Sequence, residues 1–183
     1  MMIYTIGHST HPIDEFLEIL HAYSIRKLVD IRTIPRSAHN PQFEQTNLEP
    51  ALKDGKIAYL HMPALGGLRN TTRESPNTGW RNKSFRGFAD YMQTPQFQQA
   101  IDELIDIGKK APVAIMCAEA VPWRCHRSLI GDALLVRNVD VEDIFTETSA
   151  KPHKLTPWAH VDGLRIVYPE TPGKGTARDA AQA

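Results

Sequence analysis

Apolar residues follow two rhythms along the chain. Residues 2–6 (MIYTI), 27–31 (KLVDI), 57–61 (IAYLH) and 113–117 (VAIMC) are short, largely apolar runs, most of them β-branched or aromatic in character, and they predict buried strands. Between them apolar positions recur at helical spacing. Phe16, Leu17, Ile19 and Leu20 follow Thr10 as candidate N-cap, with Pro12, Asp14 and Glu15 in the first turn. Thr46, with Glu49 three residues on, reads as a capping box opening a second helix that Gly55 ends. Helices are predicted near 84–93 and 95–109, the second carrying Phe97, Ile101, Leu104 and Ile105, and an amphipathic helix over 124–136. Residues 164–168 (LRIVY) give a last strand. Residues 62–83, rich in Gly, Asn, Thr, Pro and Arg, exceed an ordinary connection and read as a long loop with a functional or disordered character.

Strands alternating with helices predict an α/β fold in three layers, a mainly parallel β-sheet with helices on both faces. Residues 1–169 then make one α/β domain, and the Gly-, Pro- and Ala-rich residues 170–183 a disordered tail. Ligands in such folds bind beyond the carboxyl ends of the strands. Those ends carry Gly7-His8-Ser9-Thr10, Asp30 to Arg36, His61 and Cys117-Ala-Glu119.

Composition narrows the function classes. The chain has 183 residues, enough for a core without disulfide staples. Its 21 basic and 21 acidic side chains balance, which argues against a broad basic surface for nucleic acid and leaves room for a local patch. No apolar run approaches the roughly 20 residues of a spanning helix. The opening residues read as a strand rather than a signal peptide, and two cysteines point to a reducing, cytoplasmic compartment. No Gly-rich phosphate loop implies a nucleotide cofactor.

The densest chemistry lies between Cys117 and Arg127. Cys117 closes a buried strand, and Cys125 is expected in the first turn of the next helix, where the dipole and the charges of Arg124 and Arg127 would lower a thiol's pKa. Three readings compete. The cysteines are inert core, with His126 capping a helix. Alternatively, Cys117 or Cys125 is a nucleophile or redox group, with His126 or His8 as base and Glu119 as orienting partner. In the third they hold zinc with a histidine, against which stands their separation, far from a tight metal pair. His8 is expected on the same ridge as Cys117. Asp30 and Arg32 share a face by alternation and suit an ion pair. Arg36, Arg69 and Arg73 could grip an anion, and Trp80 and Trp123 could stack on a ring.

These motifs resemble the domain of unknown function 488 family. The matching pieces are Thr5-Ile6-Gly7-His8-Ser9, Val29-Asp30-Ile31-Arg32 with Pro35 and Ser37, and Tyr59 before Leu65-Gly66-Gly67. Cys117-Ala-Glu119 leading to Cys125-His126-Arg127, and His153-Lys-Leu-Thr-Pro157 through Tyr168-Pro169, complete the set. The resemblance spans about residues 1–169 and implies that the motifs belong together, without a reaction. A weaker likeness is to rhodanese-type sulfurtransferase domains, which pair an Asp-x-Arg strand with a later strand–Cys–loop–helix unit. It implies Cys117 as the sulfur-carrying position. The loop here differs, with Glu119 in it and no short glycine-containing loop closed by arginine.

The leading expectation is a cysteine- and histidine-containing enzyme acting on an anionic, phosphate- or nucleotide-like small molecule. Cys117 and Cys125 are its reactive candidates, His8 and His126 its proton carriers, and Glu119 an orienting or acid–base group. Ser9, Asp30, Arg32, Arg36 and Arg127 are the ligand-binding candidates; no cofactor and no metal is expected. A second class is a module binding nucleic acid or a phosphorylated ligand through the loop from Arg69 to Arg86 with Trp80 in it. A third is a redox sensor closing a Cys117–Cys125 disulfide, which requires Cα atoms within about 7 Å. Oligomeric state is not legible in the sequence.

Overall fold

The computed structural model describes residues 1–170. Its central sheet has the order β3-β2-β4-β1-β5-β6. The strands are β1 (Met2–Gly7), β2 (Lys27–Asp30), β3 (Ala58–His61), β4 (Val113–Cys117), β5 (Asp140–Thr146) and β6 (Ser149–Pro152). All pairings are parallel except β5 with β6. Five helices join them: α1 (Ile13–Ala22), α2 (Gln45–Asp54), α3 (Lys83–Tyr91), α4 (Pro95–Lys110) and α5 (Arg127–Leu135).

Alternation along β4 shows why the sheet is covered twice. Val113, Ile115 and Cys117 join one apolar cluster, Ala114 and Met116 the other, and all five are buried. A strand buried on both faces must read as a continuous apolar run, as this one does. Phe16, Ile19 and Leu20 of α1 and Leu48 and Leu52 of α2 fill the second cluster. Phe88 of α3, Phe97, Ile101 and Leu104 of α4, and Leu129, Ile130 and Leu134 of α5 fill the first. The three-layer α/β arrangement is therefore present, with α1 and α2 on one face and α3 to α5 on the other.

The sheet register brings four strand ends to one level. Gly7 pairs with Cys117, and Asp30 lies opposite both Met116 and His61. The residues leaving β1, β2, β3 and β4 thus emerge along one ridge, where an open parallel sheet places its ligands.

Several local expectations are corrected. Pro12, not Thr10, precedes α1 as its cap residue, and no side chain caps it. The Thr46–Glu49 capping box does not form, because the cap position falls two residues earlier, at Glu44, which puts Thr46 inside the first turn of α2, and no side chain caps the helix. The helix expected over 124–136 divides into a 3-10 turn, Pro122–Arg124, and α5. α5 is not amphipathic, since every residue from Arg127 to Leu134 is buried. The last predicted strand does not join the main sheet. It becomes β8 (Arg165–Val167), which forms a separate antiparallel pair with β7 (His160–Asp162). β5 and β6 were not anticipated. Of the predicted tail, all but Glu170 lies outside the described residues.

The irregular stretch after β3 is held by one carboxylate. Asp90 of α3 accepts hydrogen bonds from Thr72 N–H and Oγ1, Ser75 Oγ and Asn77 Nδ2. Asn77 Oδ1 in turn accepts the amide of Tyr168. Among the described residues no helix is long and apolar enough to cross a membrane.

Candidate functional site

β4 ends on Cys117, and the chain then loops through the Pro122–Arg124 turn before α5 begins. Cys125 lies in extended conformation just ahead of the helix, with His126 as the cap residue. The expectation that Cys125 occupies the first helical turn is thus wrong by two residues, although its sulfur accepts the Arg127 amide at 3.4 Å. The loop's return folds Cys125 back onto the strand it left. The two sulfurs stand 2.6 Å apart, with the Cys125 S–H donating to Cys117.

Two neighbours bear on this pair. His126 Nε2–H donates to the Leu65 carbonyl at 2.9 Å, which leaves Nδ1 as an acceptor 3.6 Å from Cys125 Sγ. Burial holds the imidazole neutral, with its pKa lowered to about 4. Arg127 is 1 % exposed and is the largest fully buried side chain. Its Nη2 donates to the Ala120 carbonyl at 3.2 Å, whereas Nε and Nη1 have no partner among the described residues.

The two thiols are pushed in opposite directions. Burial alone would raise Cys117, but the Cys125 hydrogen bond and the Arg127 charge outweigh it and hold its pKa below the ordinary thiol value. Cys125 is driven well above that value by burial, then by its bond to Cys117 and the charge there. The proton of the sulfur–sulfur hydrogen bond sits on Cys125, and the Arg127 charge favours ionisation at Cys117 over Cys125.

A cavity of about 420 Å³ opens over these sulfurs. Arg32, Arg36, Arg124 and Glu119 line it together with Cys117, Cys125 and His126. Arg36, Arg124 and Glu119 are exposed at its rim. Asn82 and Ser84, at the start of α3, also line it. The lining does not include His8, Ser9, Asp30 or Arg127.

The remaining candidates form a scaffold beside the pocket. Arg32 grips buried Asp30 through both ends of its fork, at 2.9 and 2.6 Å, and Tyr59 adds its hydroxyl to the same carboxylate at 2.8 Å. His61 donates to the Arg32 carbonyl at 2.7 Å. His8 stacks on Phe43 with ring centroids 4.2 Å apart. Its Nδ1–H donates to the Ser9 carbonyl at 2.9 Å, and Nε2 faces Arg32 Nη1 at 3.4 Å. Both ring nitrogens are therefore occupied, and burial lowers its pKa to about 4. His8 and Ser9 also donate their amides to the carbonyls of Cys117 and Ala118, which clips the start of the cysteine loop to β1.

The loop that suggested stacking and phosphate contacts is differently employed. Trp80 is 3 % exposed and packs against Phe85, Trp158 and Tyr168. Arg69 lies over the Tyr91 ring and donates to the Gly66, Pro63 and Ala64 carbonyls. Arg86 donates to the Trp80 carbonyl. Trp123, 48 % exposed, remains at the surface.

A second polar cluster escaped the sequence reading. His153 Nε2 meets Asp132 of α5 at 3.0 Å, and its Nδ1 meets Asp143 of β5 at 3.1 Å. Thr5 and Tyr168 donate to the far oxygens of these carboxylates. Burial opposes charge on His153, but the two aspartates raise its pKa to about 9, so it is an imidazolium at neutral pH. The four partners lie in distant parts of the sequence, and no local spacing could have joined them. A second cavity of about 550 Å³, walled by Trp80, Trp123, Phe145 and Trp158, reaches His153 and Asp143.

Among the described residues no group of three His, Cys, Asp or Glu side chains is arranged to hold a metal ion. No curated protein and no solved structure matches the chain. Residues 12–134 match the family described as Domain of unknown function DUF488, a span that holds Asp30, Arg32, both cysteines, His126 and Arg127 but neither His8 nor His153, and the chain belongs to that family.

Proposed function

We propose that the protein is a thiol enzyme that binds an anionic, phosphate- or nucleotide-like substrate in the arginine-lined cavity and attacks it with Cys117. The observation that carries this reading is the contact of Cys117 and Cys125, 2.6 Å apart on the lining of that cavity, with the buried charge of Arg127 lowering the Cys117 pKa. A buried guanidinium without a carboxylate partner is costly, and a thiolate in its field relieves that cost.

The roles divide by position. Arg36 and Arg124 at the rim, with Arg32 behind them, supply positive charge for the substrate's anionic group. Arg32 is the most rigid of the three, because Asp30, itself bonded by Tyr59, grips its fork. Cys117 Sγ, at the floor, forms a bond to the substrate's electrophilic atom as the bond to the leaving group breaks. We assign the proton transfer to that leaving group to Glu119, which lines the cavity and is exposed at its rim. Cys125 donates its hydrogen bond to the thiolate. His8 orders the loop and Arg32 rather than serving as base, since neither ring nitrogen is free.

The test is the pH dependence of alkylation at each cysteine, read separately by mass spectrometry on native protein. Cys117 is expected to label with an apparent pKa below the unperturbed thiol value of about 8.5, and Cys125 far more slowly. Ordinary or slower labelling of Cys117 than of Cys125 would remove the nucleophile. Phosphate and phosphorylated small molecules are then expected to slow Cys117 labelling in the wild type and less so in Arg36→Ala with Arg124→Ala.

A further inference from the structure

Cys125 is not needed to attack a substrate, yet it is the group closest to the nucleophile. Two sulfurs 2.6 Å apart are already inside the separation at which unbonded sulfur atoms ordinarily rest, and only a short further approach separates them from a disulfide bond of about 2.05 Å. They also differ in state, since one carries the shared proton and the other faces a buried cation. An electron-rich sulfur backed by a protonated one, with a histidine acceptor at hand, is the arrangement of an attacking thiol and a resolving thiol.

We propose that the site also reduces hydroperoxides, with Cys117 as the peroxide-reactive thiolate and Cys125 as the thiol that resolves it into a Cys117–Cys125 disulfide. This inference rests on the reading of Cys117 as a thiolate and adds a substrate class and a second residue to it.

The chemistry balances in two steps. Cys117 S⁻ attacks the terminal oxygen of ROOH, an S–O bond forms as the O–O bond breaks, and the departing alkoxide takes a proton from water to leave as ROH. Cys117 is then a sulfenic acid. In the second step His126 Nδ1, 3.6 Å from Cys125 Sγ, orients the thiol as an acceptor, and the thiol proton passes to the departing hydroxyl. Cys125 Sγ attacks Cys117 Sγ, the S–S bond forms as the S–O bond breaks, and the hydroxide leaves as water with the Cys125 proton. The peroxide is the oxidant, and the two thiols supply both electrons. An external dithiol returns the pair to the reduced state by exchange.

The geometry favours a disulfide over deeper oxidation. Both sulfurs are nearly enclosed, at 3 and 5 % exposure, so a second peroxide reaches the sulfenic acid less readily than the adjacent thiol does. The disulfide also cancels the negative charge that Arg127 faces. Oxidation therefore silences the proposed nucleophile and leaves a buried cation uncompensated, which makes the reduced state the more stable partner of Arg127.

The experiment treats the full chain with stoichiometric hydrogen peroxide and reads intact mass, peptide mass and free thiols. The wild type is expected to lose two hydrogens, both thiols are expected to vanish together, and dithiothreitol is expected to restore them. Cys125→Ser is expected to stop at a Cys117 sulfenic acid captured by dimedone, and Cys117→Ser to leave Cys125 unoxidised at the same dose. Sulfinic acid on Cys117 with Cys125 still free overturns the inference, as does a disulfide between two chains. If Cys117 nevertheless alkylates as a low-pKa thiolate in untreated protein, the proposed nucleophile stands and only the pairing falls. If Cys117 alkylates as an ordinary thiol and no disulfide forms, both readings fall together.

Discussion

A guanidinium that is 1 % exposed and pairs with no carboxylate among the described residues is tolerated only beside an electron-rich group, and Cys117 can be that group when ionised. Replacing Arg127 by methionine keeps an unbranched side chain in the site while deleting the charge. With burial then dominating, the Cys117 thiol rises, and its alkylation rate at neutral pH is expected to fall by about tenfold or more, one pKa unit being about a tenfold loss of thiolate. Because the Cys117 thiol can take up a proton once the cation is gone, no buried charge is left unpaired, and the urea midpoint is expected to move little. A large fall in stability with unchanged alkylation would show that Arg127 serves packing alone. Gly67 tests the histidine in the same way. A Cβ there would lie 2.5 Å from His126 Nδ1, the atom that faces Cys125. Gly67→Ala is expected to displace the ring and slow disulfide formation under peroxide by several-fold, with Cys117 alkylation kept. Equal disulfide rates in the two proteins would take His126 out of the resolving step.

Among elements, the join between β5, α5 and the segment after β6 depends on His153. It is the cation between Asp132 and Asp143, and Tyr168 and Thr156 attach the C-terminal hairpin to the same aspartate. His153→Ala leaves two buried carboxylates without their shared cation, a loss expected to reach about 3–5 kcal/mol in urea unfolding. A change under about 1 kcal/mol would mean that solvent enters the second cavity and replaces the imidazolium. This cluster also marks what the sequence could and could not disclose. The four strands read from apolar runs are present; β1, β2 and β4 lie inside the sheet, where burial on both faces needs such a run, whereas β3 is an edge strand whose residues are exposed or only partly covered. β5 was missed because Asp140, Glu142 and Asp143 interrupt its apolar positions, and Asp143 is buried only because His153 and Thr5 meet it. At the site, Cys117, Cys125, His126 and Arg127 were legible as neighbours in sequence. The contact between the sulfurs was not, since it depends on the Pro122–Arg124 turn folding the loop back and on Cys125 staying extended, where the first turn of a helix was expected. His8 was legible as a resident of the ridge, but its stacking on Phe43 and its two occupied nitrogens depend on distant chain.

The whole molecule carries buried histidines of opposite preference, and their balance sets a stability optimum. His8 and His126 are neutral in the fold with pKa values near 4, against about 6.5 unfolded. Between these values the unfolded chain binds more protons, so their stabilisation is complete above pH 6.5 and is lost as pH falls through 4, on the order of 3 kcal/mol each. His153 is the reverse. Its folded pKa of about 9 exceeds the unfolded one, so its stabilisation is complete below pH 6.5 and disappears as pH rises through 9. Urea midpoints measured from pH 4 to 9 are therefore expected to trace a dome, rising to near pH 6.5 and falling beyond it. In His153→Ala the alkaline descent between pH 6.5 and 9 is expected to flatten while the acid limb persists, and in His126→Asn the acid limb is expected to shrink. Wild-type stability that climbs from pH 7 to 9 would contradict the imidazolium assignment. The same pH rise that removes the His153 charge brings Cys117 further into its thiolate form, so reactivity and stability pull apart on the alkaline side. The proposed enzyme thus works best on the neutral side of that descent, where the lowered Cys117 pKa favours thiolate and the Asp132–His153–Asp143 clamp is still charged.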